Sequence, residues 1–199
     1  LLIPALPDFL AQHPSVQLEL SSSDRSVDLL REGVDCALRV GALPDSSLMS
    51  RPLGTWQMVH CASPAYAAQY GLAQEPEELD KHRMVAYASP TTGQIAPWEW
   101  LENGICQQRP LPAAVTVNHV ESYIACALAG LGLIQVPHFD VAHHLHSGAL
   151  LSCMPKHPAP SLPVQWVYPH RQQLARRAQV FMRWAETLLA PHLNTHSAA

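Results

Sequence analysis

No stretch of the 199-residue chain approaches the ~20 consecutive apolar residues that a bilayer-spanning helix needs. Charge is scarce as well: 14% of residues are Asp, Glu, Lys or Arg against 48% apolar, with no block of one sign and no low-complexity segment. That balance describes a globular chain and excludes a disordered one. Twelve Lys and Arg face sixteen Asp and Glu, a formal net charge of −4. This weighs against the chain itself holding a nucleic-acid backbone, because such affinity comes from cations on phosphates. Cysteine is sparse and scattered: Cys36, Cys61, Cys106, Cys126 and Cys153 are odd in number and include no C-x-x-C pair. Buried free thiols in a reducing compartment are expected, not a disulfide framework. No G-x-S-x-G, H-E-x-x-H, S-x-x-K or G-x-G-x-x-G occurs, so no short motif supports catalysis or a cofactor. His60 and Cys61 are neighbours, but in a strand they point to opposite faces and cannot act as base and nucleophile.

What is there is regular secondary structure. The chain opens on "LLIPALPDFLAQHP", without a methionine and without a basic n-region or small-residue cleavage site. It is expected to be a piece of a longer protein and not to start with a signal peptide. Leu6, Phe9 and Leu10 share one face of a helix over 5–13, which Pro14 ends. Val16, Leu18 and Leu20 alternate as a strand. "RSVDLLREG" reads as a helix stopped at Gly33, and "VDCALRV" as the next strand. The α-β-α-β order favours a parallel sheet with crossover helices.

Residues 48–62 read as a long extended segment interrupted at Pro52 and Gly54. "SPAYAAQYG" is a short helix with Ser63 as N-cap, Pro64 at its first position and Gly71 as its stop. "EPEELDKHR" is a helical turn and "MVAYA" a strand. Asn103-Gly104 is the strongest hairpin signal in the chain. "AAVTV", "LGLIQVP" and "LPVQWVYP" are strands. "NHVESYIACALAG", "HFDVAHHLHSG" and "RQQLARRAQVFMRWAETLLA" are helices. "VDLLREGVDCALRVG" and "YIACALAGLGLIQVP" share one plan, helix, Gly, buried strand. This suggests two α/β lobes built alike, joined where "GTWQMVHCAS" and "LPVQWVYPH" cross between them.

Five stretches carry chemistry. In "NHVES", Asn118 and Glu121 match a capping box, and the amides of that helix start form either an ordinary cap or an anion site. "SSSD" offers the same geometry, though Asp24 would repel an anion. "SPTTG" is a polar loop after a strand, either a simple turn or a ligand loop. "HFDVAHHLH" gathers His138, His143, His144 and His146, but at no zinc spacing, so an exposed His-rich helix is favoured over a metal site. Trp98 and Trp100 in "WEW" share one side of a strand, which reads as a packed hairpin face before it reads as a stacking platform.

The run "DLLREGVDCALRVGALPDSSL", then "CASPAY" and "NHVESYIACALAGLGLIQVP", are similar to the effector-binding domain of LysR-type transcriptional regulators. The resemblance extends from about residue 5 to 190. It implies an α/β fold of two Rossmann-like lobes joined by two crossover strands, the periplasmic-binding-protein type II fold. Lobe I would be residues 1–58 and 168–199, lacking the family's first strand, and lobe II residues 59–167. It implies a small-molecule effector, often a carboxylate or aromatic metabolite, in the cleft between lobes. It also implies DNA contact only through an N-terminal winged helix-turn-helix absent from this chain, a homodimer or homotetramer, and a cytoplasmic protein that is not an enzyme and uses no cofactor or metal. Carried onto this chain, the ligand positions are Ser22, Ser23 and Asp24, then Gly41, Leu43 and Pro44. In the far lobe they are Ser89 and Thr91, Asn118, His119 and Val120, and Pro137 with His138. The rival reading is a periplasmic solute-binding receptor of a transporter.

Overall fold

The computed structural model describes residues 1–22, 29, 31–41, 48–90, 92–169 and 174–194. They pack as two units. Unit 1 draws its described residues from 1–56 and 162–194, and unit 2 is Gln57–Ser161.

Unit 1 begins with helix α1 (Leu2–Gln12). It starts three residues earlier than the apolar spacing suggests. Pro4 falls in its first turn, where an amide has no intrahelical partner to lose. Phe9 is fully buried, its ring 4.8 Å from Trp184 and 5.6 Å from Phe181. The segment 16–20 has no regular secondary structure, with Val16 and Leu18 half-buried, so it is not the expected strand. Alternation records which side faces the core; a ladder also needs a neighbour, and none of the described strands pairs with it. The second expected helix lies largely outside the described residues.

The sheet of unit 1 has the order β1-β10-β2, from β1 (Ala37–Val40), β2 (Leu48–Trp56) and β10 (Leu162–Pro169). Both pairings are antiparallel, which corrects the parallel sheet expected from the α-β-α-β order. The strand beside β1 comes from the far end of the chain and runs the other way, which local order does not encode. β10 pairs along its whole length, so residues 162–167 sit in the sheet of unit 1 and not with the second lobe. β2 is interrupted where expected: the register skips Leu53, between Pro52 opposite Gln165 and Gly54 opposite Val164. A residue without an N–H suits a bulge. Helix α5 (Arg176–Leu189) closes the core with a stripe of Ala178, Met182, Ala185 and Leu189, at the three- and four-residue spacing of one helical face. It packs with Trp166, Leu38 and Leu53.

Unit 2 contains β3 (Met58–Ala62), α2 (Pro64–Tyr70), β4 (Met84–Tyr87), β5 (Trp98–Glu102), β6 (Ile105–Arg109), β7 (Ala113–Val117), α3 (Val120–Leu128), β8 (Ile134–Pro137), α4 (His138–Ser147) and β9 (Leu151–Ser152). Here parallel pairing does occur, between β4 and β7. A parallel bridge from Met84 to Leu133 brings β8 to the other side of β4, and β3 pairs antiparallel with β8 and β9. Residues alternate between two cores. Met84 and Ala86 join Tyr66, Leu79, Trp98 and Leu133 on one side, while Val85 joins Tyr123, Ile124, Ile134 and Val136 on the other. The hairpin turns at Asn103 and Gly104 with φ of 50° and 78°, the left-handed pair that a two-residue turn requires. Trp98 and Trp100 are buried, so the packed-face reading holds.

Candidate functional site

In unit 2 the parallel order β7-β4-β8 puts three strand ends at one edge, and the expected far-lobe ligand positions follow those ends. Ala88 N–H bonds Val117 O at 2.8 Å, so the loop after β4 and the link after β7 leave the sheet side by side. Val85 N–H to Leu133 O, at 3.0 Å, sets β8 in the same direction on the other flank. Ser89, Asn118 with His119 and Val120, and Pro137 with His138 therefore converge. In open α/β sheets this carboxyl edge is where ligands sit.

The Ser89 loop is braced by its own backbone. Ser89 N–H reaches Gln94 O at 2.8 Å, and Gly93 N–H reaches Ser89 O at 2.7 Å. Ser89 Oγ accepts from Thr92 N–H at 3.2 Å. A hydroxyl has a proton to give besides its two acceptor positions, so this oxygen can still donate to a ligand.

At the next strand end the capping expectation is corrected by one residue. The N-cap of α3 is His119, with φ −140° and ψ 134°, and its side chain makes no capping hydrogen bond. Asn118 stands one place earlier, exposed in the β7–α3 link. An Asn so placed cannot reach the third helical amide, but its amide group is presented at the edge. His119 is exposed and Val120 half-buried. At the third strand end Pro137 is the N-cap of α4 and pairs with Met58, and His138 donates its backbone N–H to Gln57 O at 2.9 Å while its side chain is exposed.

Of the near-lobe positions, Ser22 is exposed. Gly41 follows β1 with φ 90°; its N–H bonds Pro163 O at 2.9 Å and its carbonyl accepts from Gln165 Nε2 at 3.2 Å, so both polar groups serve the sheet. Ser23, Asp24, Leu43, Pro44 and Thr91 lie outside the described residues.

Two residues back from Pro137, the sequence reading passed over Gln135, a polar letter inside the apolar run "LIQVP" and the signal that could have flagged it. Its Oε1 accepts Glu99 N–H at 3.2 Å and its Nε2 donates to Glu99 O, so the amide docks on β5 as a strand would. Tyr123 Oη accepts Gln135 N–H at 3.1 Å. His60, opposite Gln135 in the register, is buried and places Nε2 3.1 Å from Glu99 O. Burial drives its pKa down to about 4, so the ring is neutral near pH 7. These groups tie hairpin β5–β6 to the sheet beneath the site.

Cys61 lies in the other core, on the face opposite His60, and burial pushes its thiol up to about 12. Near neutral pH it is a protonated thiol, not a nucleophile. The expectation of buried cysteines holds for Cys61 and Cys153, whereas Cys36 and Cys126 are half-buried and Cys106 is exposed; all five are free. On α4, the His143 and His144 rings lie 3.7 Å apart, but among the described residues no three His, Cys, Asp or Glu are placed to hold a metal ion.

Comparison with known proteins gives a consistent result. The family model for the LysR substrate binding domain matches residues 1–190. The HTH-type transcriptional regulator YhjC of Escherichia coli (strain K12) is 39% identical over 98% of this chain and 65% of its own length. The HTH-type transcriptional activator AaeR of the same organism is 30% identical over 86% of this chain and 55% of its own. The chain thus spans less than two thirds of these relatives. Among solved structures, the regulatory domain of CrgA, a LysR-type transcriptional regulator from Neisseria meningitidis, superposes with a TM-score of 0.81 at 28% identity, covering 95% of this chain and 92% of that one.

Proposed function

The chain belongs to the LysR family as its substrate-binding domain, with the periplasmic-binding-protein type II fold, and on that footing we propose that it senses a small-molecule effector for a DNA-binding transcriptional regulator. The observation that carries the reading is the convergence of Ser89, Asn118 and the Pro137–His138 turn at the carboxyl edge of β7-β4-β8. Neutral donors from Ser89 and Asn118, beside the start of α3, suit the oxyanion of a carboxylate effector. Ser22, Ser23, Asp24, Gly41, Leu43, Pro44 and Thr91 are proposed as effector contacts on the family resemblance alone.

The whole regulator would contact DNA through a domain outside this sequence, act in the cytoplasm and assemble as a homodimer or homotetramer. An effector then shifts the regulator only by its difference in affinity for two states of the domain. The relatives are named as helix-turn-helix regulators, which favours this reading over a transporter's solute receptor and over an enzyme. Calorimetric titration of carboxylate and aromatic metabolites tests the site, with Asn118→Ala and Ser89→Ala as variants. A tight binder should lose about tenfold or more in affinity in each, the equivalent of one lost hydrogen bond to a charged group. A binder that loses none in either variant removes these residues from the site and leaves the family assignment standing.

A further inference from the structure

We infer that unit 2 carries a second binding site, a groove at the amino ends of β4 and β7 that takes a small anion with an apolar body. The groove has a volume of about 330 Å³ and is formed by residues 80–83, which lead into β4, and by Pro112 with Ala113 and Ala114, the first residues of β7. That volume falls within the range of small-molecule sites. It lies at the edge opposite Ser89 and Asn118, so it is not part of the proposed effector site.

One wall is cationic. Lys81 and Arg83 form no ion pair among the described residues, and the carboxylate of Asp80 is already bound to Arg109 Nη1 at 3.1 Å. The nearby Glu78 carboxylate accepts the amides of Gln74 and Glu75 at 2.7 and 3.3 Å. Lys81 helps to hold the Glu78 carboxyl below its ordinary range, yet neither it nor Arg83 is in ion-pair contact with a carboxylate among the described residues, which stands out in a chain of net charge −4. The Arg83 guanidinium sits 4.7 Å over the Tyr70 ring, which limits its freedom and leaves its N–H groups able to donate in plane.

The base of the groove is rigid. His82 is buried, and its Nδ1 lies 3.0 Å from Tyr66 Oη, which also accepts Arg83 N–H at 3.1 Å. Tyr66 is itself fully buried. Groups fixed before binding lose little freedom on binding. The other wall is small and apolar, from Pro112, Ala113 and Ala114, all exposed. Here the ladder is irregular: Met84 pairs with Ala113, but Ala86 pairs with Thr116, so β7 spends an extra residue beside the groove. An extra residue leaves a peptide unit outside the ladder. A carboxylate on Lys81 and Arg83, with its alkyl or aryl part on 112–114, satisfies both walls.

Amide chemical-shift mapping with hexanoate, and with hexanol as its uncharged counterpart, tests the site. Hexanoate should give saturable shifts at residues 81–83 and 113–114 and bind at least about tenfold more tightly than hexanol. Lys81→Gln with Arg83→Gln should remove that preference. Ala114→Leu, at an exposed position that does not threaten folding, should block both probes. Equal binding of the two probes, or saturable shifts confined to Ser89, Asn118 and His138, overturns the proposal. Because the two sites report at different amides, failure here is distinguishable from failure of the effector site.

Discussion

A Cβ added to Gly132 would lie 2.6 Å from the carbonyl carbon of Met84 and 2.7 Å from the Val85 amide nitrogen. The segment entering β8 therefore touches the backbone of β4 with no room for a side chain. Neither neighbour is a flexible side-chain end, so alanine must push two strands apart. Gly132→Ala is expected to cost about 1–3 kcal/mol, as overpacking does. It should also weaken effector binding, since β4 and β8 carry Ser89 and Pro137. Urea unfolding and the same titrations check both effects.

Features set by neighbours in sequence were legible without coordinates. Ser63, Pro64 and Gly71 mark both ends of α2, and Asn103-Gly104 marks the hairpin, because each answers a local backbone demand. Val16–Leu20 misled for the opposite reason: its alternation is local, while pairing depends on a distant strand. The same holds for β1, whose partner β10 lies more than a hundred residues away. For the candidate site, the pieces Ser89, Asn118 and Pro137 were visible as strand-end residues. Their convergence rests on the β7-β4-β8 order, which no local pattern records. The Lys81-His82-Arg83 run was visible too, but the absence of ion pairs at Lys81 and Arg83 among the described residues, and the alanine wall beside them, were not.

Ser63 and Asn118 were both read as helix caps, and the structure separates them. Ser63 is buried and its Oγ accepts Tyr66 N–H at 3.3 Å, whereas Asn118 caps nothing. Ser63→Ala should cost about 1 kcal/mol of unfolding free energy. Asn118→Ala should change stability by less than about 0.5 kcal/mol, as exposed substitutions do. Denaturant unfolding of the two variants side by side measures the contrast. An equal loss in both would restore Asn118 as a cap and weaken its assignment to the ligand.

His60 makes stability depend on pH. Its pKa is 6.5 when exposed and about 4 when buried in the fold. Between those values the unfolded chain binds the extra proton, so stability rises with pH across the window. It is complete above about pH 6.5 and falls as pH drops toward 4, by about 3 kcal/mol over the whole window. Glu75 and Glu78 are held below the ordinary carboxylate range, the first by His157 and Lys156 and the second by the Gln74 and Glu75 amides. Their effect begins only below their ordinary value of 4.5, so the upper part of the window belongs to His60 together with His82 and His144, which burial also holds below the usual imidazole value. His60→Gln should reduce the slope of unfolding free energy against pH between 4.5 and 6.5, leaving the part that His82 and His144 contribute. An unchanged slope would show that His60 is solvated or that another group titrates there.

The effector itself can be sought through stability. A ligand that binds only the folded domain stabilises it by RT ln(1 + [L]/Kd), about 2.7 kcal/mol at a hundredfold excess over Kd. For a chain of 199 residues that corresponds to a rise in Tm of roughly 6–10 °C. Small carboxylates should be the first class to screen, because Ser89 and Asn118 offer neutral donors at this edge, with Glu121 the one acidic residue in the first turn of α3 that opposes an anion. The true effector should raise Tm in the wild-type chain and fail to do so, at the same concentration, in Asn118→Ala and Ser89→Ala. A compound acting through the groove at Lys81 and Arg83 gives the opposite pattern, with its shift kept in those two variants and lost in Ala114→Leu. A hit whose shift survives all three substitutions binds elsewhere on the chain and counts against both sites.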